Sequence, residues 1–304
     1  MKFGLALNVN ENTLEVQAKS HQAERCGLDY VWISDSPSQR HAPVVASAVA
    51  SATEHIRIGL GLISPFLHTP QQIASSLTTL MESYGARFDL CIGPGDREEL
   101  HKVGVDLDNI HHVPSRLLSS KEEISEILRK RKLESKIWLG AQGPKLLRIA
   151  SSFDGVLLNY SSPEMVQWAL ENIREAKGSV PELVGVFAPS YVYRDFNPEI
   201  HKILRYASAT VALGASDAVL ENFSLLKSLE PARRDLQKRT LDSSMLELVP
   251  TNVIDKFSIF KRQHELPQYV LELERLGVRY IVFSYPQTYS AKTIEELSEA
   301  LRKL

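Results

Sequence analysis

The chain has little cysteine: two residues among 304, Cys26 and Cys91. Neither sits at a disulfide-type or metal-type spacing, so reduced thiols are the simple reading and a disulfide-stapled secreted scaffold is excluded. No apolar run approaches the roughly 20 residues needed to cross a bilayer. Residues 1–7 lack the apolar core and cleavage site of a signal peptide. Neither sign of charge is in excess: Lys and Arg total 35 against 37 Asp and Glu, for a formal net charge of -2. That balance speaks against a nucleic-acid or membrane-surface partner. The densest basic run, residues 129–132, ends a helical pattern, where cations suit the negative end of the helix dipole. His41, His68, His101, His111 and His112 are scattered, and no pair has helical metal-ligand spacing with a carboxylate. They read as surface histidines, and no metal is expected. Walker and nucleophile-elbow motifs are missing as well. Nor is there a repeat, low-complexity tract or flexible linker, which leaves one domain over residues 1–304. The expectation is a soluble, cytoplasmic protein whose partner is a small molecule.

What is present is a rhythm. The chain is 43% hydrophobic, enough to bury a sizeable core. Short apolar runs alternate with amphipathic segments, the pattern of parallel β/α units. Strands are predicted over 3–7, 30–33, 56–60, 88–92, 137–139, 156–158, 184–192 and 279–283. Helices are predicted over 13–25, 43–52, from Thr69-Pro70 onward, 115–132, 145–151, 164–177 and 293–301. From about 197 to 249 the pattern is helical with no strand between. Eight strands interleaved with helices predict an α/β fold, a (β/α)8 TIM barrel with a helical excursion between strands seven and eight.

In such a barrel the active site lies at the C-terminal ends of the strands. Those ends are polar or glycine-rich: Asn8, Ser34-Asp35-Ser36, Gly61 to Pro65, Gly93-Pro94-Gly95-Asp96, Gly140 to Pro144, Asn159-Tyr160 and Ser284-Tyr285. Glycine there permits close backbone approach to a ligand. Gly140 to Lys145 opens a helix with free N–H groups, a place suited to phosphate, to which Lys145 adds charge. An ordinary Gly-Pro strand-to-helix turn is the plainer reading. Leu62 and Ile63 suit an apolar wall for a flat ring, or are barrel core. Asp96 suits either proton transfer, for which burial would have to raise its pKa, or the N-cap of residues 97–100. Asp35 suits either chemistry or a turn.

Two segments carry a family resemblance: Cys91-Ile92-Gly93-Pro94-Gly95-Asp96, and Leu139-Gly140-Ala141-Gln142-Gly143-Pro144-Lys145 with Phe153-Asp154-Gly155-Val156-Leu157 after it. Residues 27–35 and 59–66 support them. The sequence resembles the luciferase-like superfamily, in particular its coenzyme F420-dependent branch, and within it is most similar to the methylenetetrahydromethanopterin reductases. The likeness spans most of residues 1–160 and returns around 271–286. It implies a flavin-type oxidoreductase with F420, or alternatively FMN, at the strand ends. It implies a cis peptide at Gly61–Leu62 forming a bulge under the ring. It assigns Ser36, Gly61, Leu62, Ile63, Ser64, Gly93, Gly95, Gly140, Ala141, Gln142, Gly143, Lys145 and Asn159 to the cofactor, and Asp96 and Asp35 to catalysis. It implies a homodimer and, as substrate, a small organic molecule such as a pterin-linked one-carbon group. Two positions depart from the pattern. Ser36 stands where the family usually has His, and Ala6 where its reductases tend to carry Glu. Both remove proton-transfer candidates, so an FMN-dependent monooxygenase and a flavin-binding barrel with little catalysis stay open beside the reductase.

Overall fold

The computed structural model describes residues 1–7, 10–106, 112–236 and 248–304. Its centre is a closed parallel barrel of β1 (Lys2–Leu7), β2 (Tyr30–Ile33), β3 (Arg57–Ile63), β4 (Phe88–Ile92), β5 (Ile137–Ala141), β6 (Gly155–Leu158), β7 (Leu183–Tyr193) and, closing against β1, a strand late in the chain (Tyr280–Ser284). The expected TIM barrel is borne out. A strand that periodicity did not reveal, β8 (Ile259–Arg262), pairs with the upper end of β7 from Ser190 to Tyr193. The closing strand is therefore β9. The α1 helix (Thr13–Arg25) and α2 (Ala42–Ser51) follow β1 and β2, and α3 (Pro70–Tyr84) follows β3. Local chemistry sets their starts. Asn12 and Glu15 form a reciprocal cap on α1, Thr69 and Gln72 do the same for α3, and proline opens α2 and α3.

Two features after β4 and β5 differ from expectation. A short helix, α4 (Arg97–Lys102), precedes α5 (Val113–Lys130). The helix predicted over 145–151 is instead a single turn, α6 (Pro144–Leu147), and a 3-10 turn, Ala150–Ser152. Beyond α7 (Pro163–Lys177), the excursion after β7 contains α8 (Pro198–Leu213), α9 (Asp217–Asn222) and α10 (Leu226–Leu236), and it is helical where described. The chain then forms α11 (Thr251–Lys256), β8, α12 (Leu266–Leu276), β9 and α13 (Ala291–Leu301).

Strand alternation sorts the core into two parts. Leu5, Leu7, Leu90, Ile92, Leu139 and Val156 face the helices in one continuous apolar layer. Ala6, Tyr30, Trp32, Cys91, Trp138, Leu157 and Val282 fill the barrel itself. Eight strands leave little room for two indoles. The neighbouring strands supply it by carrying glycine in the same layer. Trp32 pairs in register with Gly59 and Trp138 with Gly155, and a β-carbon at either glycine would fall inside 3.0 Å of the indole. At the N-terminal end, the fully buried Asp89 accepts from Tyr30 Oη at 3.1 Å and from Arg57 at 2.6 Å. The bottom is thereby plugged with paired polar groups, as burial of a charge requires.

Candidate active site

The C-terminal ends of β2 to β6 meet at one mouth. Gly59 and Gly61 of β3 face inward against Trp32, and Leu60 faces outward. Between Leu60 and Ile63 the β3–β4 register shifts, and the Gly61–Leu62 peptide is cis, at the bond the sequence indicated. Past this bulge, Leu62 lies inside the barrel rim against Gly93 and Gly140 and is half-buried. Ile63 packs outward into the core between barrel and helices. Of the two residues expected to wall a ring, only Leu62 is at the mouth; Ile63 is core, because a bulge restores alternation one residue later.

Ser64 turns its hydroxyl to the Pro94 carbonyl at 2.7 Å, tying the end of β3 to the turn after β4. That turn holds Gly95 at positive φ, a conformation that suits glycine. Asp96 is exposed and caps α4, accepting from Glu99 N–H at 3.0 Å. The carboxylate faces solvent, so the structure shows the cap and not the burial that the proton-transfer reading called for. Glu99, a residue the sequence did not single out, reaches back to the loop after β2. It accepts from Ser36 Oγ at 3.1 Å and from Ser38, and Lys102 pairs with it at 2.6 Å. Its link to Ser36 spans 63 residues, so no local spacing could have revealed it.

Gly140 and Ala141 extend β5 rather than opening a turn. Gly143 is the N-cap of α6, whose first turn has no side-chain cap bond. With only four residues α6 contributes little dipole, so anion binding here would depend on individual N–H groups and the exposed Lys145. Gln142 Nε2 donates to the Asn159 carbonyl at 3.4 Å, and Asn159 N–H donates to Ala141 O at 3.3 Å, which brings these predicted residues together on one rim. A β-carbon at Gly143 would meet Ser216 Oγ at 2.9 Å, so the start of α9 reaches the same turn.

Asp35 has a different place. Its carboxylate is almost wholly buried and accepts from Ala42 N–H at 3.0 Å, at the start of α2. Its other oxygen is 2.7 Å from His68 Nε2. Burial pushes this carboxyl up, but the bonds from His68 and Ala42 outweigh it and hold the pKa below the usual range. The same contact raises His68 against its own partial burial. His68 is therefore a half-buried ion-pair partner and not the surface histidine read from sequence. It lines an outer groove between α2 and α3, with His41, Ile63 and Tyr84, on the helical side of the barrel wall. His41, His101 and His112 are exposed; His111 and Asn8 fall outside the described residues. Among the described residues no cluster of three or more His, Cys, Asp or Glu side chains could hold a metal ion.

Comparison with known proteins agrees with this architecture. The sequence profile of the luciferase-like monooxygenase family matches residues 6–113. A 5,10-methylenetetrahydromethanopterin reductase of Archaeoglobus fulgidus is 27% identical, with 94% of each chain covered. The structure of a coenzyme F420-dependent tetrahydromethanopterin reductase from Methanopyrus kandleri superposes with a TM-score of 0.84 at 22% identity, covering 98% of this chain and 97% of that one. An F420-dependent secondary alcohol dehydrogenase shares the fold at a TM-score of 0.70 and 15% identity, with 98% of this chain and 97% of that one covered. The resemblance read from the glycine motifs is borne out.

Proposed function

We propose that this luciferase-like chain is an oxidoreductase that takes coenzyme F420 at the barrel mouth. It would move hydride between the deazaflavin and a small organic substrate, a pterin-linked one-carbon group being the class we favour. One observation carries the reading: similarity to a methylenetetrahydromethanopterin reductase over 94% of the chain.

The residues at the mouth fit such a group. Leu62 offers a flat tricycle an apolar seat, set low by the glycines beside it. Gly61, Ser64, Gly93 and Gly95 shape that side of the rim, and Ser36 reaches it through Glu99. Gly140, Ala141, Gln142, Gly143 and Lys145, with Asn159, would hold the anionic tail through N–H donors and one cation.

The cofactor, when bound, supplies the hydride chemistry. The chain would position the ring and present at the rim a carboxylate, Asp96, which bound cofactor and substrate would have to cover before it exchanges a proton with the substrate. Asp35 is a positioning residue in this scheme. Held as an anion by His68, it fixes the start of α2 beside the mouth. We further propose a single-domain, cytoplasmic homodimer; among the described residues no helix is long and apolar enough to cross a membrane.

Titration of the protein with F420 and with FMN tests the reading. Tight binding of F420 is expected, followed by substrate-dependent oxidation of reduced F420. Binding of FMN alone would favour an FMN-dependent monooxygenase, the reading suggested by the matching family profile. Binding of neither would overturn both.

A further inference from the structure

Glycines at a ligand-binding mouth are usually taken to let backbone approach the ligand. Here the space above two of them is already filled. Gly93 follows β4 and Gly140 lies in β5, and both share the inward face with Cys91 and Trp138. A β-carbon at Gly93 would overlap Leu62 Cδ1 and stand 2.9 Å from its Cγ. A β-carbon at Gly140 would overlap the same Cδ1. One leucine methyl group therefore occupies the side-chain position of both glycines. The layer beneath is tight at Gly61, where a β-carbon would stand 2.6 Å from Cys91 Cβ, whereas one at Gly140 would make only ordinary contact, 3.6 Å, with Cys91 Sγ.

The orientation of Leu62 follows from the break in β3. Strict alternation would send Leu62 outward with Leu60. The register shift before Ile63 turns it inward once and then returns Ile63 to the outer core. An inward leucine at this height has room only where the next two strands carry no side chain.

We propose that Gly93, just after β4, and Gly140, within β5, form a socket for the Leu62 side chain, and that these two positions set the floor height of the mouth through Leu62 and not by direct contact with the ring. This deepens the proposed function, and its ligand-binding half rests on that reading. An alanine at either glycine would lift Leu62 into the space the ring needs, since the clashing atoms belong to the flexible end of that side chain.

The test is a double-substitution cycle on the full chain with Gly93→Ala, Gly140→Ala and Leu62→Ala, read by F420 titration and by urea unfolding. Each glycine substitution alone is expected to weaken F420 binding by about tenfold or more and to lower the unfolding midpoint. In the Leu62→Ala background the same substitutions should change binding by less than about threefold and leave the midpoint nearly unmoved. Equal losses in both backgrounds would mean that the glycines meet the ligand directly, and would overturn the socket. If Gly93→Ala alone fails to fold, folding of Gly93→Ala with Leu62→Ala supports the socket, and failure of both overturns it. If the unsubstituted chain binds neither F420 nor FMN, the functional reading falls, and the unfolding midpoints still decide whether Leu62 couples to the two glycines.

Discussion

His68 Nε2 lies 2.7 Å from Asp35 Oδ2, and the carboxylate it meets is 4% exposed. The pair joins the end of β2 to the segment that leads from β3 into α3. Since Asp35 also receives the first N–H of α2, three pieces of chain converge on one buried anion.

This pair predicts a pH-dependent stability. His68 is raised in the folded state, so its contribution is fully present below the ordinary histidine value of about 6.5 and is lost as pH climbs through the folded value. Asp35 is lowered, so its contribution is present above the ordinary aspartate value of about 3.9 and fades as pH falls through the folded value. His68→Ala should destabilise by about 1–3 kcal/mol near pH 5.5, because it leaves a buried carboxylate short of a charged donor. By about pH 9 the difference from the unsubstituted protein should shrink. Urea midpoints at the two pH values measure this, and a difference that grows with pH would refute the assignment.

Asp96 has two candidate roles that one substitution separates. Asparagine caps a helix as well as aspartate does, so Asp96→Asn should keep stability within about 0.5 kcal/mol. If Asp96 exchanges a proton with substrate, turnover with F420 should fall by about 10²-fold or more. Unchanged turnover would leave it as a cap alone. Asp96→Ala should in addition cost about 1 kcal/mol through the lost bond to Glu99.

Gly143 tests the anionic-tail site. An aspartate there places a negative charge on the turn and should weaken F420 binding by at least about tenfold. Alanine should be mild, because its β-carbon crowds the Ser216 hydroxyl at the end of an exposed side chain and meets Ser216 Cβ at an ordinary 3.5 Å. Equal binding by Gly143→Asp and the unsubstituted chain, seen in a fluorescence titration, would place the tail elsewhere.

The barrel interior offers a control far from the mouth. Gly155→Ala would drive a methyl group into the face of Trp138, which is fully buried and has no free direction. Overpacking of this kind costs about 1–3 kcal/mol. A urea midpoint within error of the unsubstituted value would show that the indole can retreat.

Much of the barrel was legible because its signals are local. The predicted spans 13–25, 30–33 and 88–92 match α1, β2 and β4 residue for residue, since apolar periodicity and Asn or Gly punctuation act over a few residues. The position of β8 was not legible. Its four residues are half covered, and it is defined by pairing with the far end of β7, about 70 residues earlier. Helix 145–151 was overestimated because its pattern continues while the backbone breaks into two turns.

The sequence by itself determined the order of the eight barrel strands and the glycines at their C-terminal ends, because periodicity and turn chemistry reside in neighbouring residues. Only the tertiary structure decided that Leu62 turns inward while Ile63 does not, that Asp35 is held by a histidine 33 positions away, and that the side-chain space of Gly93 and Gly140 belongs to Leu62. Those facts depend on which strands lie side by side when the barrel closes, and contacts between distant segments leave no periodic trace in the chain.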